Sequence, residues 1–214
     1  MRNILLAAAA GSAFMLPGAA SAAAFINGSF ENGISPVSFT TVSGGDTTSI
    51  TGWTVTGDSV DYIGNYWTAQ DGSRSVDLDG NGQGGIAQTF DTVAGTKYSV
   101  SFWLAGNPDG APVSKTVQVG ATGNASTDYT FDTTGHDRAN LGWAQYTYNF
   151  VASGASTTLS FASQTPGAYG PVLDNVAITA AGVPEPATWG LMILGFAAVG
   201  GVMRRRGATQ AAAA

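Results

Sequence analysis

Along residues 24–182 the apolar positions recur at every second residue, and no stretch sustains the three-to-four spacing of a helix. Over 96–104, Tyr98, Val100, Phe102 and Leu104 fall on one face; over 143–150, Tyr146, Tyr148 and Phe150 do. Thr157, Leu159 and Phe161 share a face over 156–161, and Val172, Val176 and Ile178 over 172–178. Shorter strands are predicted over 53–56, 59–63, 74–78, 85–90 and 115–119. Clusters of Gly, Asn, Asp and Pro separate these runs at sandwich-like intervals. The pattern predicts one all-β domain, an antiparallel sandwich of about eight to ten strands.

The two ends follow other patterns. Met1-Arg2-Asn3 precedes an uncharged run, Ile4 to Ala20, which closes on Ala20-Ser21-Ala22. This is a positive, then apolar, then small-residue order, and it predicts a signal peptide over 1–23 with cleavage near Ala22 to Ala24. The C-terminal stretch reads Pro184-Glu185-Pro186, then an uncharged span from Ala187 to Met203, then Arg204-Arg205-Arg206. As a helix, 187–203 spans roughly 26 Å, at the short end for a bilayer crossing. Trp189 sits where an interfacial aromatic belongs, and the arginines place the preceding chain outside the cytoplasm. A tail, 207–214, follows. These residues resemble the PEP-CTERM sorting signal of Gram-negative bacteria, in its variant with Trp after the second proline; Gly190 stands where that variant usually has Ala. The resemblance implies Sec-dependent export, a membrane helix before processing, recognition by the membrane enzyme exosortase, and release or anchoring at the outer surface.

Composition narrows the chemistry. No Cys is present in 214 residues, which removes disulfides, Cys-based zinc, iron–sulfur clusters and thiol catalysis. His136 is the single histidine. Thirteen of the 14 acidic residues lie in the body with only Arg74, Lys97, Lys115 and Arg138 against them, a net charge near −9. Such a surface repels nucleic acid, whose affinity rests on Lys and Arg.

Asn27-Gly28-Ser29-Phe30-Glu31, Gly52-Trp53-Thr54-Val55, Val60-Asp61-Tyr62-Ile63, Gly72 to Leu78, Gly85 to Phe90 and Tyr169 to Val176 follow one another in the body. In this order they resemble the choice-of-anchor C family of bacterial surface proteins. The resemblance implies a jelly-roll, galactose-binding-like sandwich and hints at glycan contact, without a demonstrated activity.

Asp174 is expected to share its face with Val172, Val176 and Ile178, pointing a carboxylate inward. A buried carboxylate demands a cation or several donors. The resemblance implies a structural Ca²⁺ joining Glu31 to Asp174, helped by carbonyls near Asn27 and Gly28; the alternative is a carboxylate bonded to backbone amides at a strand end. Asp77-Leu78-Asp79-Gly80-Asn81-Gly82 matches half of an EF-hand loop, but Gln88 stands where the bidentate Glu is required, and a hairpin loop is the better reading. Tyr62, Tyr66 and Trp67 lie beside Gln70 and Asp71 in a turn-rich stretch and are candidate sugar-stacking residues, Tyr66 and Trp67 above all. Core packing is the competing role. His136 has no nucleophile motif around it, and the acid pairs Asp58/Asp61 and Asp77/Asp79 read as turn residues. The expectation is therefore a non-enzymatic, exported surface or matrix protein that binds polysaccharide, or else a structural, protein-binding one.

Overall fold

The computed structural model describes residues 23–181 and 192–196. Eleven strands build two antiparallel sheets: β1 (Phe39–Ser43), β2 (Thr54–Gly57), β3 (Ser59–Ile63), β4 (Ser75–Asp77), β5 (Gly84–Asp91), β6 (Lys97–Gly106), β7 (Ser114–Ala121), β8 (Thr127–Asp132), β9 (Ala144–Val151), β10 (Ser156–Ser163) and β11 (Pro171–Ala180). One sheet runs β1-β3-β4-β11-β6-β9, the other β2-β5-β10-β7-β8. All nine expected strands are present. β1 and β8 are additional; both lie at sheet edges, and each buries a single residue, Val42 or Phe131.

The alternating residues form the core. β6 and β9 pair in register, so Tyr98 meets Phe150, Val100 meets Tyr148 and Phe102 meets Tyr146. Phe102 also packs edge-on against Phe161 of the opposite sheet, with ring centroids 5.3 Å apart. Trp53, 1% exposed, closes the core between Phe25, Phe30 and Phe161.

Register also decides which loops meet. Gly106 at the end of β6 pairs with Pro171 at the start of β11, and Ser114 of β7 with Asp132 of β8. The loops 107–113, 133–143 and 164–170 therefore gather at one pole. At the other pole β11 ends beside Tyr98, and the Ala181 amide bonds the Lys97 carbonyl. The ten residues of β11 separate the two poles by roughly 30 Å.

The expected inward face of β11 is corrected by a bulge. Asp174 pairs with Trp103 and Leu173 with Leu104, so Asp174 lies on the face opposite the core. Between Asp174 and Ala177 the register shifts, with Asn175 at φ 47°, and Ile178 returns to the core side opposite Val100. All but the last residue of the predicted signal peptide 1–23 lies outside the described residues, as do Pro184, Glu185, Pro186, Trp189 and Arg204 to Arg206. So do both ends of the predicted 187–203 helix, of which a helical turn at 192–196 is described. No helix among the described residues is long and apolar enough to cross a membrane.

Candidate functional site

The 64–74 segment leaves β3 and lies across the outer face of the six-stranded sheet, held by two carboxylates. Asp174 accepts the backbone amides of Gln70 (2.8 Å), Asp71 (3.0 Å) and Asn175 (2.6 Å). Glu31 accepts the amides of Ser73 and Arg74 and the Ser73 hydroxyl, each at 2.8 Å. Gly72, at φ +66° and pressed against the Glu31 carboxyl, lets the chain turn between the two anchors. Burial pushes the Asp174 carboxyl up to about 7, against the pull of the three amides.

Glu31 and Asp174, the two residues expected to share a Ca²⁺, each accept three hydrogen bonds. The donors converging on both carboxylates are backbone N–H groups and one hydroxyl, which hold the 64–74 segment directly. The proposed helper carbonyls are engaged as well: Asn27 accepts the Trp53 indole and Gly28 accepts the Val176 amide. Hydrogen bonds thus join the beginning and end of the body. Among the described residues no three His, Asp or Glu side chains gather as a metal site.

The three candidate aromatics separate. Tyr62 is fully buried and bonds the Phe30 carbonyl, while Trp67, 5% exposed, donates its indole N–H to Ser75 Oγ at 2.9 Å. Both are packing residues, which corrects their expected place at the surface. Tyr66 stays half-buried and reaches the loop pole, where its hydroxyl donates to Asp109 Oδ2 at 2.8 Å. Arg138 lies over its ring, guanidinium carbon 4.2 Å from the centroid, and donates Nε–H to Asp109 Oδ1 at 2.7 Å. Burial, then the bond to Asp109, raises the Tyr66 phenol above its usual range. Trp103 and Trp143 are half-buried, and Trp143 donates to the Thr68 carbonyl at 3.2 Å.

Beside this trio opens a cleft of about 380 Å³, lined by Pro108, Asp109, His136, Asp137, Arg138 and Ala139. Tyr169 is 41% exposed and rests its ring on Gly110; a Cβ there would stand 2.2 Å from Tyr169 Cδ2. Together these groups form a rim of aromatic faces, donors and acceptors.

Buried charges hold the rim from beneath. Lys115, fully buried, donates to the carbonyls of Gly110 (2.8 Å) and Tyr169 (2.6 Å). Asp77, also fully buried, accepts the Asn107 side-chain amide at 2.7 Å and the Gly170 amide at 3.0 Å. One cation and one carboxyl therefore tie the same two loops, 107–110 and 169–170. Asp79 completes the cluster: both its oxygens are buried without a hydrogen-bond partner, and burial pushes its carboxyl to about 6. Burial lowers the Lys115 ammonium, and Asp77 and Asp79 draw it back up.

Sequence reasoning missed Asp109, Arg138, Tyr169 and the supporting roles of Asp77 and Lys115. One signal was available: on the predicted strand 115–119, alternation places Lys115 with Val117 and Val119, a lysine on an apolar face. The 107–110 and 138 positions lie in separate loops, and no local spacing connects them.

Residues 23–179 match the family model described as "Protein of unknown function (DUF642)", and residues 182–206 match the PEP-CTERM protein-sorting motif. Halomucin of Haloquadratum walsbyi (strain DSM 16790 / HBSQ001) is 35% identical over 167 residues. That alignment covers 74% of this chain and 2% of halomucin, so the chain spans a small fraction of its relative's length. Among solved structures, TmCBM61 in complex with beta-1,4-galactotriose is similar at 18% identity and TM-score 0.46, over 61% of this chain and 90% of that one. CBM35 from Paenibacillus barcinonensis is similar at 20% identity and TM-score 0.44, over 66% and 99%.

Proposed function

The chain belongs to the DUF642 family, and we propose that its sandwich is a non-catalytic polysaccharide-binding domain displayed outside the cell. Its PEP-CTERM motif marks an exported, exosortase-sorted protein of the cell envelope. The observation that carries the binding reading is the rim at the loop pole. Tyr169 offers a flat apolar face for a sugar ring, and Asp109, Asp137, Arg138 and His136 offer polar partners around a cleft of about 380 Å³. Placement supports it: the sorting motif begins at residue 182, just past the far end of β11, so an anchor there leaves the rim facing outward. Weak contacts at each rim add up when many copies are displayed on one surface.

Within this reading the leader enters the Sec translocon, and the 187–203 helix crosses the membrane until exosortase acts. The host is a Gram-negative cell, and the chain a choice-of-anchor C protein. In this reading the domain binds without hydrolysing, and of the two acid pairs Asp77 and Asp79 are fully buried, out of a polymer's reach. The clamp on 64–74 works by hydrogen bonds without calcium.

A second reading has its own observation. Ile34, Val37 and Phe39 are 40%, 82% and 44% exposed near a cleft lined by Pro36, Trp67 and Arg74, and such a patch suits a protein partner.

The test is retardation of the exported protein on gels containing neutral and acidic polysaccharides. Retardation that falls about ten-fold or more in Tyr169→Ala, and persists in Val37→Ser, supports the rim. No retardation of folded protein by any polysaccharide overturns glycan binding and favours the apolar patch.

A further inference from the structure

Ala23 and Asp91 are bonded to each other twice. The Ala23 amide donates to Asp91 Oδ2 at 2.7 Å, and the Asp91 amide donates to the Ala23 carbonyl at 2.9 Å. Three residues on, Gln88 repeats the arrangement with its side chain: Oε1 accepts the Ile26 amide at 2.8 Å and Nε2 donates to the Ile26 carbonyl at 2.9 Å. Between them Phe25 packs edge-on against Trp53 and Phe90, with centroids 5.6 Å away in both cases. Residues 23–26 are thus laid along β5 and fastened at both ends.

We propose that the export leader is cut between Ala22 and Ala23, and that the α-ammonium released there is received by the Asp91 carboxylate. The proposal rests on the reading of the first residues as a signal peptide. Ala20 and Ala22 supply the small residues that processing needs at the third and first positions before this bond. Sequence leaves cleavage open between Ala22 and Ala24, and the structure decides between them. A cut after Ala23 would discard the residue whose amide and carbonyl both meet Asp91.

The chemistry is a hydrolysis. Water adds across the Ala22–Ala23 peptide bond, leaving a carboxylate on Ala22 and an ammonium on Ala23. The nitrogen that donates to Asp91 as a neutral amide becomes a cation at the same place. A bond from a neutral amide to a carboxylate thereby becomes an ammonium–carboxylate ion pair. Processing tightens the first residue of the mature chain onto the sandwich.

Two measurements on the exported protein test this. N-terminal sequencing and intact mass should give a chain beginning Ala23-Ala24-Phe25; a start at Ala24 or any other residue past Met1 overturns the cleavage site. Retention of Met1 would instead overturn the leader reading itself. The second measurement is the rate of α-amine acylation at neutral pH, which should rise about three-fold or more in Asp91→Asn. Asn keeps the backbone bond and a side-chain oxygen, so the variant retains the fold. An unchanged rate overturns Asp91 as the receiver.

Discussion

Lys115 and Tyr169 stand 54 positions apart in the chain, yet the buried ammonium of one donates to the carbonyl of the other at 2.6 Å. The same ammonium holds the Gly110 carbonyl, so one side chain fixes both loops that carry the Tyr169 ring. Lys115→Met keeps the stem's volume and removes the charge. Two carbonyls lose their donor, and Asp77 and Asp79 lose their cation. Breaking a buried charge cluster in this way costs about 3 to 5 kcal/mol. Chemical denaturation should show a lowered midpoint of that order. Under conditions where the variant remains folded, polysaccharide retardation should fall with it, since the rim is no longer positioned. A variant of full stability and unchanged retardation would refute the supporting role.

Stability should decline as pH rises from about 4 to 7. Asp79 is pushed to about 6 and Asp174 to about 7, with burial as the main cause for both, against 3.8 when unfolded. Asp77 is driven upward by its complete burial as well. A carboxyl whose folded pKa is raised binds its proton more tightly in the native state. Its contribution is whole below 3.8 and is lost as pH rises through the folded value. Asp46 and Asp132, lowered by bonds to Ser49, Thr48 and Thr134, act with opposite sign and weaken the fold below pH 4. Thermal unfolding from pH 3 to 8 should therefore peak near pH 4 to 5, and Asp79→Asn should flatten the descending limb. A midpoint that climbs steadily to pH 8 would contradict the assignment.

The clamp by Glu31 and Asp174 gives a prediction about metal. Because amides and a hydroxyl fill both carboxylates, a chelator should leave the unfolding midpoint unchanged. Asp174→Ala, in contrast, strands the Gln70, Asp71 and Asn175 amides and should cost about 3 kcal/mol. It should also alter the fluorescence of Trp143, whose indole bonds the same segment at Thr68. A midpoint that drops on chelation would instead support a structural Ca²⁺ at Glu31 and Asp174.

How much of this was legible in the sequence depended on whether the information was local. The alternation of Tyr98 to Leu104 and of Tyr146 to Phe150 named the core strands correctly, because one face of each packs inward and the pleat has period two. β8 escaped because it is an edge strand whose lone buried residue, Phe131, makes no pattern. Asp174 was assigned the wrong face because the bulge at Asn175 inserts a residue, and period-two counting cannot cross such an insertion. Tyr62 and Trp67 were placed outside on the strength of polar neighbours. Tyr62 sits on a core-facing strand position opposite Val76, and Trp67 has its indole fixed by Ser75. The rim joins residues 66, 109, 138 and 169 from four separate loops, so only the three-dimensional register assembles it.

Gly110 offers the sharpest test of the rim, since it alters geometry without touching a charge. The Tyr169 ring lies so close that a Cβ at 110 would stand 2.2 Å from Cδ2 and 2.4 Å from Cε2. A real Cβ cannot occupy that space, so Gly110→Ala must displace the ring. Tyr169 is 41% exposed, and the ring can swing toward solvent at a small cost to folding, within about 1 kcal/mol for a surface change. The carbonyl of residue 110 remains available to Lys115. The expected result is a nearly unchanged unfolding midpoint with polysaccharide retardation reduced about as far as in Tyr169→Ala. Should the Gly110→Ala protein be retarded like the wild type, the position of the Tyr169 ring is irrelevant to binding, and the polysaccharide contact lies elsewhere on the domain.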